Sequence, residues 1–211
     1  MPRKEEIEIY TFAELSPEAK ERAIREYRDR GWAWDEADSK MLSEFFAEEL
    51  EALGLPTEDI RWRLDYSSGD GVAFYGKVDL ADYIQKNSLT KFEPIITAIE
   101  NDEARIEIAI EKRQAFHMYD HWNTMVVTAE VDTYGEPRVG GRKRWPIRLG
   151  PVAIERMARE LMAHLQDQVK DVSKRLEKSG YENIDYRESD QDITENIIAN
   201  EYEFDEDGSF L

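Results

Sequence analysis

The chain has no cysteine. Disulfides are therefore excluded, and so is any metal site built on thiolates. The lack of thiols fits a reducing compartment. Histidine is scarce too, with three in 211 residues, so imidazole chemistry has few places to reside. The opening Met-Pro-Arg-Lys-Glu-Glu lacks the apolar core that a secretory signal needs. No apolar run approaches the roughly 20 residues that span a bilayer. A soluble, cytoplasmic protein with no membrane partner is expected. There is no internal repeat, and no stretch rich enough in glycine, proline or serine to separate two domains.

Positive charge is also short. Twenty-eight lysines and arginines face 47 acids, for a formal net charge of −19. The imbalance is uneven. Residues 179–211 hold eleven acids and one base, Arg187. Such a segment repels phosphate backbones and attracts basic surfaces. It reads either as a solubilising tail or as a nucleic-acid decoy for another protein's basic groove. Glu201, Glu203, Asp205, Glu206 and Asp207 are its densest stretch and the candidate partner-binding residues.

What is present suffices for a core: 41% of residues are hydrophobic and 11% aromatic, which excludes wholesale disorder. Ile7–Phe12 alternates as a short strand. Ser16 then Pro17 reads as a helix cap and first turn, followed by a face of Ala19, Ala23, Ile24 and Tyr27. A second helix runs over 35–53 with a stripe of Ala37, Met41, Phe45, Leu50 and Leu53. Ile60, Trp62, Leu64 and Tyr66, then Val72, Phe74, Gly76 and Val78, alternate around a Gly-Asp-Gly turn, which predicts a hairpin with one face in water. Its glycines are expected to supply positive φ. Thr90 is expected to cap a helix carrying Phe92 and Ile95. Ile106, Ile108 and Ile110, and then Met125, Val127, Ala129 and Val131, predict two further strands.

Pro151 opens a long helix expected to stop at Gly180, with Ile154, Met157, Leu161, Leu165, Val172 and Leu176 on its apolar stripe. A short helix over 192–199 follows. The pattern predicts an α+β fold, an antiparallel sheet with helices packed on one face, in one domain over 1–180 with an acidic extension over 181–211. The long helix exceeds what such a sheet covers. Val172 and Leu176 are therefore expected to meet a second copy in a homodimer, unless Ile193, Ile197 and Ile198 fold back over them.

Tyr10-Thr11-Phe12-Ala13-Glu14-Leu15-Ser16-Pro17 together with Tyr66-Ser67-Ser68-Gly69-Asp70-Gly71-Val72 resembles a family of bacteriophage and prophage proteins. Its members share a Thr-Phe-x-Glu-Leu-Ser opening and a Ser-x-Gly-Asp-Gly hairpin. Some add a histidine at the start of a later strand, which His117 or His121 would match. The resemblance covers residues 10–130 and implies a phage setting inside a host cell. It implies no particular reaction, and it does not reach the long helix or the acidic segment.

Three clusters could carry chemistry. His117, Asp120 and His121 offer metal ligands for a hydrolase, or else an aromatic-rich hairpin loop with Phe116, Tyr119 and Trp122. Asp65, Asp70 and Asp79 could hold a divalent cation, although they follow no EF-hand spacing and the glycines form no phosphate loop. Arg142, Lys143 and Arg144, within a basic run with Trp145, could bind phosphate or pair with the acidic segment. Trp32 and Trp34 read as core lids or as a binding platform. No cofactor, metal or catalytic residue is expected. The leading expectation is a non-enzymatic phage-type accessory protein that binds a basic host protein or a nucleic-acid-binding complex. In its sharpest form it is a nucleic-acid-mimicking inhibitor of a defence or nucleic-acid-processing complex. Direct nucleic-acid binding is not favoured. A nucleotide or small-molecule binder and a metal-dependent hydrolase are the alternatives.

Overall fold

The computed structural model describes residues 8–113, 119–134 and 150–211. The elements run β1 (Tyr10–Thr11), α1 (Pro17–Asp29), α2 (Glu36–Ala52), β2 (Asp59–Arg63), β3 (Gly71–Val78), α3 (Leu80–Lys86), α4 (Glu93–Glu100), β4 (Ala104–Lys112), β5 (Met125–Thr133), α5 (Pro151–Arg187), α6 (Asp190–Ala199) and β6 (Glu203–Phe204). The fold is α+β, with antiparallel sheets and a long helix late in the chain.

The chain divides into two compact units, Ser43–Ser179 and Met1–Leu42 with Gly180–Leu211. The boundaries fall inside α2 and α5. Residues 181–211 are thus not the appended extension that composition suggests. They complete the fold of the N-terminal residues, because their few apolar side chains are needed there.

In the unit Ser43–Ser179, four strands pair antiparallel in the order β2-β3-β4-β5. β3 is shared along its length: Gly71–Tyr75 pairs with β2, and Gly76–Val78 pairs with β4. β4 alternates as expected, with Ala104, Ile106, Ile108 and Ile110 buried. The first half of β3 does not alternate, since Val72, Ala73, Phe74 and Tyr75 are all buried. Burial on both faces replaces the half-wet hairpin that alternation predicts.

α5 supplies one cover. Ile154, Ala158, Leu161, Leu165, Val169, Val172 and Leu176 recur at three- and four-residue steps and are all buried. Ala158 takes the position that hydropathy gives to Met157. Ser173 donates its hydroxyl to the Val72 carbonyl, and the Gln166 side-chain oxygen accepts from the Val127 N–H at 2.9 Å. Val172 and Leu176 are each 1% exposed within the chain, so they offer no surface to a second copy. Gly180 does not end α5. The helix continues to Arg187, since one interior glycine costs only about 1 kcal/mol relative to alanine.

α2 buries Leu50 as expected, but Leu42 and Phe46 take the buried places expected of Met41 and Phe45, which face outward. Thr90 starts a short 3-10 turn rather than capping α4 with its side chain.

The other unit packs Phe12, Leu15, Ala19, Ala23 and Tyr27 against Ile193, Ile197 and Phe204. Ser16 caps α1 by accepting from the Ala19 N–H at 3.2 Å, as the Ser-Pro pair predicts. β6 pairs with β1, with Tyr10 opposite Phe204 and Thr11 opposite Glu203.

Candidate functional site

The acidic residues nominated from sequence stand on an ordered hairpin. After β6 the chain turns over Asp205–Ser209, with the Asp205 N–H donating to the Ser209 carbonyl and the Gly208 N–H to the Asp205 carbonyl, both at 3.1 Å. Phe210 then bridges back to Phe204, their ring centroids 4.7 Å apart. Gly208 has a φ of 87°, and a Cβ there would lie 2.2 Å from the Ala19 carbonyl oxygen. Only glycine lets the turn close onto α1.

Two of the acids serve the turn itself. Asp205 Oδ1 accepts from the Asp207 and Ser209 N–H groups at 3.2 and 3.0 Å. Asp207 accepts from the Ser209 N–H and hydroxyl and pairs with Arg22. Hydrogen bonding with the Asp205 carboxyl comes first, then the Ser209 groups and the Arg22 charge, and together they hold the Asp207 carboxyl down at about 2. Glu201, Glu203 and Glu206 are exposed.

Beside this hairpin lies a cleft of about 520 Å³, lined among others by Trp32, Asp38, Met41, Arg187, Asn196 and Tyr202. Trp32 is 39% exposed. Tyr202 stacks on it at 5.8 Å and 9°, and the Arg30 guanidinium lies 4.6 Å from its ring. Trp32 therefore belongs to an aromatic cluster at the surface, part lid and part wall. Trp34 is half-buried, with its indole N–H donating to Ser39 Oγ at 3.0 Å. Arg187, the lone base of the acidic segment, is held by Asp38 at 2.9 Å and Asp192 at 3.4 Å. The C-terminal ends of α1 and α6 border the cleft at Gly31 and at Asn196 and Asn200. Sequence analysis missed this cleft, because its residues are spread from 27 to 202. Its visible signals are the isolated Arg187 and the aromatics set among acids.

In the other unit, the Gly-Asp-Gly turn is built around Asp70, which is 8% exposed. Its carboxylate accepts from the Asp65 and Ser67 N–H groups at 2.7 and 2.8 Å and from the Ser67 hydroxyl at 2.6 Å. Within the turn φ is positive at Gly71, 156°, as expected, and at Tyr66, 56°, but not at Gly69. Close approach is a further reason for both glycines. A Cβ on Gly69 would sit 2.4 Å from the Tyr119 ring, and one on Gly71 would sit 2.3 Å from His121 Cβ.

Asp65, Asp70 and Asp79 do not converge. Asp65 pairs with Arg63 at 2.6 Å, and Asp79 caps α3 by accepting from the Ala81 and Asp82 N–H groups. Asp120 accepts from the Tyr75 hydroxyl at 3.1 Å and pairs with Lys112 at 2.8 Å. Burial above all pushes the Tyr75 phenol up to about 12, so it stays neutral near pH 7. His121 Nδ1 accepts from the Asn123 N–H at 3.3 Å, heading the turn Trp122–Thr124. His117 lies outside the described residues, as do Arg142, Lys143 and Arg144. Among the described residues, no group of three or more His, Cys, Asp or Glu stands together as metal ligands. No helix among them is long and apolar enough to cross a membrane.

Compared with protein-family models, with curated proteins and with solved structures, the chain matches none.

Proposed function

We propose that this is a non-enzymatic accessory protein of phage type that binds a basic host protein, most pointedly the nucleic-acid-binding surface of a defence or nucleic-acid-processing complex. The observation that carries the reading is where the charge stands. The unit Met1–Leu42 with Gly180–Leu211 has 22 acids against 9 bases, and its densest acidic stretch is displayed on a hairpin tied to β1 and α1. Carboxylates held on a folded surface keep fixed spacings, so they can match a basic groove at lower ordering cost than a loose tail. The same field disfavours a bare phosphate backbone.

The reading is tested by titrating the full chain against protamine as a basic, DNA-binding probe. A complex is expected at low salt, weakening as salt rises and displacing double-stranded DNA from protamine. Glu203→Lys with Glu206→Lys should slow association, since exposed charge acts chiefly on encounter. An association rate equal to that of the unaltered chain at low salt refutes the reading.

A further inference from the structure

We infer that the cleft walled by Trp32, Met41, Asp38 and Asn196 seats an arginine side chain from the basic partner. The inference rests on the proposed function for the partner's charge, but it assigns a site and a residue type that the acidic hairpin does not supply.

The argument starts from the lining. Asp35, Asp38 and Arg187 are its charged members, so the cleft carries a net negative charge. Arg187 offers little to an anion, because Asp38 and Asp192 already bracket its guanidinium. Asp192 itself is 6% exposed, so its charge sits behind the wall. Backbone electrostatics have the same sign. α1 and α6, helices of 13 and 10 residues, both end at the cleft, and a helix C-terminus carries partial negative charge.

The two asparagines of the lining offer acceptors. The Asn196 amide nitrogen donates to the Asp192 carbonyl and carboxylate, each at 2.9 Å, and that of Asn200 donates to the Asn196 carbonyl at 2.9 Å. Both side-chain oxygens thus remain as acceptors for a ligand that brings donors, while Asn200 keeps one further N–H.

The apolar part selects among cations. Met41 is 58% exposed and Trp32 39% exposed, so the cleft has an apolar part open to a ligand. An arginine has an aliphatic stem to cover such surface and a planar, weakly hydrated head with five donors, which stacks beside aromatic rings better than a compact ammonium does. The aromatic cluster already accommodates this chemistry within the chain. The Arg30 guanidinium lies 4.6 Å from the Trp32 ring and 5.3 Å from that of Phe210. At about 520 Å³ the cleft is within the range of ligand sites, with room for a side chain and the backbone that presents it.

The test uses the full chain and a fluorescent octa-arginine peptide, with octa-lysine and octa-citrulline as comparisons. Binding is expected in the order arginine, lysine, citrulline. Met41→Lys alters an exposed side chain and puts an ammonium into the cleft. It should weaken the arginine peptide by about tenfold, the effect of one like-charge contact at a partly buried site. Met41→Leu should bind as the unaltered chain does, with Glu203→Lys and Glu206→Lys together changing mainly the association rate. Circular dichroism confirms that each variant is folded. Equal binding of the arginine and lysine peptides, or an unchanged affinity in Met41→Lys, overturns the cleft assignment. If protamine still binds in that case, the acidic-surface reading stands alone. If neither protamine nor the arginine peptide binds, both fail.

Discussion

Asp207 is the residue on which the acidic hairpin's charge has a measurable structural use. Its carboxyl is held at about 2, against about 4 in an unfolded chain. A depressed folded value means that the unfolded chain takes up the proton first. The stabilisation is therefore complete above about pH 4 and is lost as pH falls toward 2. Asp207→Asn should lower the melting temperature slightly at pH 7, because Asp207 and Arg22 are both more than half exposed. The two melting curves should converge near pH 2. A difference that stays constant across that window would refute the assignment. At this scale the sequence was partly legible. Ser16 capping α1 and the positive φ of Gly71 follow from local residues, whereas the close approach that bars a side chain at Gly69 and Gly71 comes from residues 119–121, about 50 positions away.

Among the elements, β6 decides whether the acidic segment is an appendage or a part of the fold. It is two residues long and pairs with β1 and, by a single bridge, with Phe210, yet its Phe204 is fully buried against Phe12 and Phe210. Phe204→Ala should cost about 3–5 kcal/mol in urea unfolding, the usual range for emptying a phenylalanine site. Glu203→Lys, on the same strand and exposed, should change stability by less than about 0.5 kcal/mol. Equal effects from the two substitutions would mean that the hairpin is not part of the core. Removing residues 200–211 should accordingly unfold the unit they close, because Phe204, Gly208 and Phe210 leave together. Hydropathy alone shows this stretch as an acidic extension, since two-residue strands leave no periodicity to detect.

Across the whole molecule, repulsion among like charges governs the response to salt. A net charge of −19 opposes compaction, and salt shortens the reach of that repulsion from about 30 Å at 0.01 M to about 8 Å at 0.15 M. The melting temperature should rise over that interval in sodium chloride. A flat or falling trend would show that the ion pairs, such as Arg187 with Asp38 and Asp192, outweigh the repulsion between acids. The same titration should weaken protamine binding, so stability and affinity move in opposite directions with salt.

By itself the sequence determined the α+β class, α1 with its cap, the alternating strands β4 and β5, the start of α5 with most of its apolar stripe, and the concentration of acid late in the chain. Each is a local pattern of period 2 or 3.6, or a plain count of charge. The tertiary structure alone decided three further matters. It brought Ile193, Ile197 and Phe204 onto α1, which made the C-terminal residues part of a core rather than a tail. It buried β3 on both faces and closed Val172 and Leu176 inside the chain. It gathered Trp32, Asp38, Met41, Arg187, Asn196 and Tyr202 around one cleft. These depend on contacts between residues up to about 190 positions apart, and no local period records which distant partner will cover an apolar face or complete a polar one.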